Sequence, residues 1–269
     1  MDCTSARPSI QALDVSKHFG TPGDKIYVQA LLKTSIEIRA GELVCFIGPS
    51  GCGKSTMLNI IGGLLTPSSG SVSVMGGPIN GPSPRQIAYV FQENALFPWY
   101  NVIDNIKLGM EFQGVDRAER EDRAHEALKA VGLPNFAHHF PGQLSGGMKQ
   151  RVALARALSL DTDVILMDEP FGALDEQTRM VLGEDLSVLL SQTGKTIVFV
   201  THSLGEAVFL SDRVAVFSAR PGRIKKMINV DEAHPRSPDF MTSDKFGDLR
   251  NELYRQLHDE IRKTVEQVA

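Results

Sequence analysis

Residues 48 to 55 read Gly-Pro-Ser-Gly-Cys-Gly-Lys-Ser, the pattern G-x-x-x-x-G-K-[ST] with Gly48, Gly53, Lys54 and Ser55 at its fixed places. The pattern makes a phosphate loop only when a strand precedes it and a helix follows. Glu42-Leu-Val-Cys-Phe-Ile47 is an apolar run of buried-strand character, and Ser55-Thr-Met-Leu-Asn-Ile-Ile61 has helical apolar spacing. The glycines let successive backbone N–H groups turn inward as an anion nest, and the helix adds its positive dipole end. Gly48, Pro49, Ser50, Gly51, Cys52, Gly53, Lys54, Ser55 and Thr56 are therefore the predicted nucleotide-phosphate contacts. Lys54 can reach the β- and γ-phosphates, and the Ser55 hydroxyl can ligate Mg²⁺.

Around this loop, apolar β-rich runs alternate with helical patterns, as in a parallel α/β sheet. The runs are Leu43 to Ile47, Ile87 to Phe91, Val164 to Met167, Thr196 to Val200 and Arg213 to Phe217, with shorter β-like runs at Ile10 to Val15 and Ser71 to Met75. Between Glu93 and Leu160 the strand signal disappears. Asp116 to Val131 reads as a charged amphipathic helix with Asp116 and Glu119 as a capping box, and a second helix starts near Ser145. This stretch is expected to be a helical subdomain inserted into the α/β core. Pro221-Gly222 is expected to close the core, the segment around Pro235 and Pro238 to be a linker, and Asp244 to Val268 to be a charged helix.

The net charge of -4 and pI near 6.0 argue against broad contact with nucleic-acid phosphates. No apolar run approaches a membrane span, and the first residues lack the apolar core of a signal peptide, so a cytosolic location is expected. Cys3, Cys45 and Cys52 have no metal-like spacing.

Three further motifs carry chemistry. Asp163-Val-Ile-Leu-Met-Asp168-Glu169 is an apolar strand that ends in two carboxylates, where parallel sheets place their sites. Asp168 can hold Mg²⁺ and Glu169 can polarise an attacking water, although a solvated turn before Pro170 would read the same way in isolation. Leu144-Ser-Gly-Gly-Met148 opens a helix whose exposed N–H groups could face an anion or could merely be capped by Ser145. Gln92 and His202 each follow a predicted strand.

Taken in order, the phosphate loop, Gln92, Leu144 to Met148, Asp168-Glu169, Ala173-Leu174-Asp175 and His202 resemble the ATP-binding subunit of an ABC transporter, from about residue 10 to 220. The resemblance implies a P-loop NTPase (RecA-like) core with an N-terminal antiparallel β region and an inserted helical subdomain at roughly 93–160. The nucleotide-binding domain would span 10–240, and 241–269 would be a C-terminal helical extension. It implies Gln92 on Mg²⁺ and the attacking water, Glu169 as base, and His202 on the γ-phosphate. Mg²⁺ would be held by Ser55, Gln92 and Asp168. Ser145, Gly146 and Gly147 would cap ATP held by a second copy, and Asp175 would cross to that copy, in a head-to-tail dimer with two ATPs between the subunits. Phe19 sits where an aromatic stacks on adenine, but it could equally be core. The fifth signature position is Met148 where Gln is common, and Ser203 follows His202 where many relatives have Asp.

Phe91 to Asn105 looks like the segment that receives a helix of a multispanning membrane permease, with Trp99 either an interface anchor or part of a satellite core. Ala95-Leu-Phe-Pro-Trp99 and Ser218-Ala-Arg-Pro-Gly-Arg-Ile224 look like the nitrate, sulfonate and taurine importer branch. That resemblance implies a peripheral place on the cytoplasmic membrane face and an indirect solute-binding-protein partner. A chromosome or repair ATPase would separate the motifs with coiled coil, whereas about ninety residues intervene here without sustained heptads. A ribosome-binding relative would carry two cassettes in one chain, and this chain has one motif set. A lipid-trafficking or export subunit would share every catalytic motif.

Overall fold

The structure, a computed structural model, describes residues 8–21, 23, 27–172 and 176–268. In chain order its elements are β1 (Ile10–Phe19), β2 (Val28–Ile38), β3 (Leu43–Ile47), α1 (Lys54–Ile61), β4 (Ser69–Val74), β5 (Gly77–Pro78), β6 (Ile87–Val90), α2 (Val102–Gln113), α3 (Arg117–Ala130) and α4 (Gly146–Leu158). There follow β7 (Val164–Asp168), α5 (Glu176–Thr193), β8 (Thr196–Val200), α6 (Leu204–Leu210), β9 (Arg213–Phe217), β10 (Ile224–Asn229) and α7 (Asp244–Val268).

Strands β3, β7 and β8 are buried at every residue, which is why they read as uninterrupted apolar runs. They form the middle of a six-stranded sheet ordered β10-β9-β3-β8-β7-β6, parallel from β9 to β6 and antiparallel at β10. Successive side chains of β3 point to opposite faces and so enter different cores. Leu43, Cys45 and Ile47 pack with Ile165, Met167 and Phe199 under helices that contribute Ile106, Leu128, Val152 and Val208. Val44 and Phe46 pack with Leu166 and Val198 against Met57, Leu58 and Ile61 of α1. That second core is closed by an antiparallel sheet, β2-β1-β4-β5, through Ile10, Leu31 and Val74. Each large apolar side chain buried in this way contributes about 1.5–3 kcal/mol. The phosphate loop thus starts at the carboxyl end of a strand fixed on both faces.

Residues 93–160 hold α2, α3 and α4 and no strand. Helix α2 is capped by the Asn101 side chain, which accepts from the Asp104 amide, and ends at Gly114 in the left-handed region. Helix α4 starts where Ser145 caps it by accepting from the Met148 amide.

Several expectations need correction. The capping box at α3 is only half made: Asp116 accepts from the Ala118 amide, while Glu119 turns to Arg123 at 3.0 Å. Pro221-Gly222 does not close the core, because the chain returns as β10 and pairs with β9. The segment around Pro235 and Pro238 is not a free linker. Arg236 is buried there and donates to the carbonyls of Val208, Ser211, Val230 and Glu232. Burial pushes its guanidinium down to about 10, against the upward pull of Asp212 and Glu232. Among the described residues, no helix is long and apolar enough to cross a membrane.

Candidate functional site

The loop from Gly48 to Gly53 joins β3 to α1 by a turn that other side chains could not make. Gly53 has φ of 102°, and a Cβ there would lie 2.7 Å from Leu31 Cδ2. A Cβ on Gly48 would lie 2.9 Å from both Cys52 Sγ and Phe217 Cβ. The loop is therefore pressed onto β2 on one side and the end of β9 on the other. Pro49 and Cys52 are buried, Ser50 and Gly51 are exposed, and Ser55 and Thr56 are half-buried at the start of α1. Lys54 is buried, with its ammonium donating to the carbonyls of Gly48 at 2.8 Å and Pro49 at 3.0 Å. A cation is thus held inside the curve of the loop.

The acidic pair lies beside it. Ser55 Oγ donates to Asp168 Oδ1 at 2.9 Å, which links the first turn of α1 to the end of β7. Burial pushes the Asp168 carboxyl up, the Ser55 bond holds it down, and the neighbouring Glu169 charge adds to the rise. A hydroxyl and a buried carboxylate side by side are hard oxygen donors of the kind Mg²⁺ takes, so the residues present fit that ion.

At Glu169 the chain turns sharply. Its φ of 49° is left-handed, a conformation costing roughly 1–3 kcal/mol in a residue with a Cβ. The turn is held by the Glu169 amide donating to Val200 at 3.0 Å and by the Gly172 amide donating to the Glu169 carbonyl at 3.0 Å. Its carboxylate meets two predicted partners: Gln92 Nε2 donates to Oε2 at 3.2 Å, and His202 Nε2 lies 2.6 Å from Oε1. Gln92 follows β6 and His202 follows β8, the strands on either side of β7. Three residues far apart in sequence are thus brought together by strand order.

The support beneath His202 lies outside the ordered motifs. Thr201 donates a short hydrogen bond to Glu206, and its hydroxyl accepts from the Ser203 amide at 3.0 Å. Ser203 caps α6 by accepting from the Glu206 amide. Burial pushes the Glu206 carboxyl up, opposed by the Thr201 bond and by Arg179, which lies 3.5 Å away. Together with Glu169, Phe171 and His202, these residues line a cleft of about 380 Å³. The Ser-x-x-Glu spacing of Ser203 and Glu206 was the available signal.

Other predicted residues lie outside this cluster. Ser145 and Gly146 are exposed and Gly147 half-buried at the start of α4. Among the described residues, no hydrogen bond or ion pair joins them to Glu169 or the phosphate loop. Asp175 lies outside the described residues. Phe19 ends β1 and is 43% exposed, with Lys17 Nζ 5.2 Å from its ring centre, so the core alternative fails.

Trp99 is 68% exposed, so it is not part of a satellite core either. Its ring lies 5.5 Å from Phe97 and 6.4 Å from Tyr100, forming a surface aromatic cluster. Two side chains hold its loop. Asn105, wholly buried on α2, accepts from the Phe97 amide and donates to the carbonyls of Phe97, Tyr100 and Asn101. Arg156 of α4 donates to the carbonyls of Ala95 at 2.8 Å and Asn94 at 3.2 Å. Neither role was foreseen from sequence.

A family model described as ABC transporter matches residues 31–172. An uncharacterised ABC transporter ATP-binding protein of Methanocaldococcus jannaschii is 43% identical over 252 residues, 94% of this chain and 92% of that protein. A taurine import ATP-binding protein of Rhizobium johnstonii is 44% identical over 238 residues, 86% of this chain and 90% of its own. Among solved structures, a dimeric ATP-binding cassette in a post-hydrolysis state with ADP and Pi is similar at a TM-score of 0.75 and 34% identity, covering 83% of this chain and all of that one.

Proposed function

This chain belongs to the ABC transporter family as an ATP-hydrolysing transport ATPase, and we propose that it powers an importer for a small anionic solute of the nitrate, sulfonate or taurine kind. The observation that carries the ATPase roles is the meeting of Gln92 and His202 on Glu169, next to the Ser55–Asp168 pair.

Lys54 and the inward N–H groups of the loop bind the β- and γ-phosphates of ATP. Ser55 and Asp168, with Gln92 within reach of the same end of the sheet, would hold Mg²⁺, which supplies positive charge against the phosphate oxygens. Glu169 takes the proton of the attacking water as general base. The two flanking side chains leave each of its oxygens engaged, which fixes the carboxylate in one orientation. His202 then serves the γ-phosphate from the other side of β7. Phe19, exposed at the end of β1, is free to stack on adenine.

Dimeric cassettes among the similar structures support a homodimer. In it, the exposed Ser145, Gly146 and Gly147 would present a helix N-terminus to ATP held by the second copy, with Asp175 crossing between subunits. ATP then favours the closed pair and hydrolysis releases it.

The exposed aromatic cluster at Phe97, Trp99 and Tyr100 supports a permease contact on the loop that follows Gln92, which would place the chain peripherally on the cytoplasmic membrane face. The importer reading rests on the relative named for taurine import. Uptake of radiolabelled taurine, an alkanesulfonate and nitrate into vesicles holding the membrane subunit, supplied with its solute-binding protein and with ATP inside, tests it. ATP-dependent accumulation of one of these anions is expected. ATP-dependent efflux or lipid movement would overturn the importer reading while leaving the ATPase intact.

A further inference from the structure

Helix α7 is joined to the back of the phosphate loop through one buried carboxylate. Glu260 is 2% exposed. Its Oε2 accepts from the Ala219 amide at 2.8 Å, and its Oε1 meets Lys263 at 2.8 Å and Lys225 at 3.2 Å. Burial pushes this carboxyl up, but the bonds from Lys263, Ala219 and Lys225 outweigh burial and hold it down to about 2. It is therefore ionised at neutral pH, and a charge-assisted bond runs from α7 to the main chain after β9.

Ala219 opens the turn between β9 and β10. Ser218 and Arg223 close that turn, the Ser218 amide donating to Arg223 at 2.9 Å and the Arg223 amide donating to Ser218 Oγ at 3.1 Å. At its tip, Gly222 donates to the Ala30 carbonyl at 2.9 Å and accepts from the Leu32 amide at 2.8 Å, which docks the turn on β2. A Cβ on Gly222 would fall 1.7 Å from the carbonyl oxygen of Cys52. Turn and phosphate loop thus touch backbone to backbone. The loop's two tight glycines rest on the same bed, Gly48 on Phe217 and Gly53 on Ala30 and Leu31.

We propose that Glu260 is a positioning residue: through the Ala219 amide it fixes the 218–223 turn against Cys52, so that docking of the C-terminal helix sets the affinity of the phosphate loop for ATP. An anion nest works only when its N–H groups converge, so a small backward shift of the Cys52 peptide weakens the grip on phosphate. The inference rests on the reading that residues 48–55 bind ATP.

The test is equilibrium binding of MgATP to the purified full chain and to Glu260→Ala, Glu260→Asp, Glu260→Gln and Lys263→Ala, at a temperature well below the unfolding transition of the least stable variant. Glu260→Ala is expected to raise Kd about tenfold, the order of an ordinary coupling between distant sites. Glu260→Asp keeps the charge but withdraws the oxygen from Ala219, so it should also raise Kd. Glu260→Gln retains an acceptor and should stay within about threefold of the unaltered chain. Lys263→Ala removes an ion pair from the same carboxylate without touching Ala219 and should leave Kd unchanged. With saturating ATP, kcat of the Glu260 variants should remain within about twofold. A folded Glu260→Ala or Glu260→Asp with unaltered Kd overturns the proposal. So does a Kd that follows melting temperature across all four variants, Lys263→Ala included. Failure of the unaltered chain to bind MgATP would instead overturn the reading of the loop itself.

Discussion

The bed beneath the phosphate loop and the loop that carries Trp99 are held in place by different means. The first is built on glycines with no room for a Cβ: Gly222 meets the Cys52 carbonyl backbone to backbone, while Gly48 rests on the Cys52 and Phe217 side chains and Gly53 on the Leu31 side chain and the Ala30 carbonyl. The second is held by side chains that reach across to main chain, Asn105 from α2 and Arg156 from α4. Glycines packed this closely leave the loop little room to shift. Side-chain tethers tie the loop's order to the helices that supply them. Chemistry that depends on converging N–H groups is served by the first kind. On the proposed function, a surface that follows the nucleotide state would be served by the second, and Arg156 lies on the same helix that Ser145 caps.

The sharpest test of this contrast lies at Glu169. Glu169→Gln keeps the volume and the backbone turn but removes the base, so hydrolysis should fall by about 10²–10⁴ while ATP binding survives. Phosphate release and equilibrium ATP titration measure the two effects separately. Near-normal turnover would show that Glu169 is not the base. In the same background, Ser145→Arg should abolish the ATP-dependent dimer on gel filtration, since it puts bulk and charge at the exposed start of α4. A dimer that persists would remove α4 from the interface.

At the tethered loop, Asn105→Ala leaves several buried main-chain groups without partners. Stability to urea should fall by about 2–4 kcal/mol. A loss below about 1 kcal/mol would show that packing rather than the Asn105 tether orders the loop. Smallest is Trp99→Ala. An exposed ring contributes little to folding, so stability should change by less than about 0.5 kcal/mol. Assembly with the membrane subunit, read by surface plasmon resonance, should weaken by about 2 kcal/mol. Unfolding of the isolated chain would instead make Trp99 a structural residue.

The same contrast explains what could be read from sequence. Strands β3, β7, β8 and β9 were legible because burial on both faces leaves an unbroken apolar run. Strand β2 was not, because its first half, Val28–Lys33, shows no alternation, and buried and exposed residues alternate only from Thr34 to Ile38. Strand β10 sets two adjacent lysines between Ile224 and Met227, so it forms neither an apolar run nor a clean alternation. Glu169, Gln92 and His202 were legible as a set through an ordered motif, although only the strand order brings them together. Asn105 and Arg156 lacked any such signal. Each acts on main-chain carbonyls, and a carbonyl has no residue identity to recognise; in Arg156 the partner is also 61 residues away. The segment at Pro235 misled because proline and polar residues mark linkers, whereas the buried Arg236 that anchors it looks like any surface charge.

Strand β10 has one more consequence. As the antiparallel margin of the six-stranded sheet, it offers a row of main-chain groups to any extended peptide that drifts alongside. Lys225 and Lys226 stand on that margin, tied back to α7 by Glu260 and Glu252. A second chain adding itself there would have to bury those ammonium groups or strip them from their carboxylates. The margin is thereby guarded against runaway strand addition, the route by which exposed sheets aggregate.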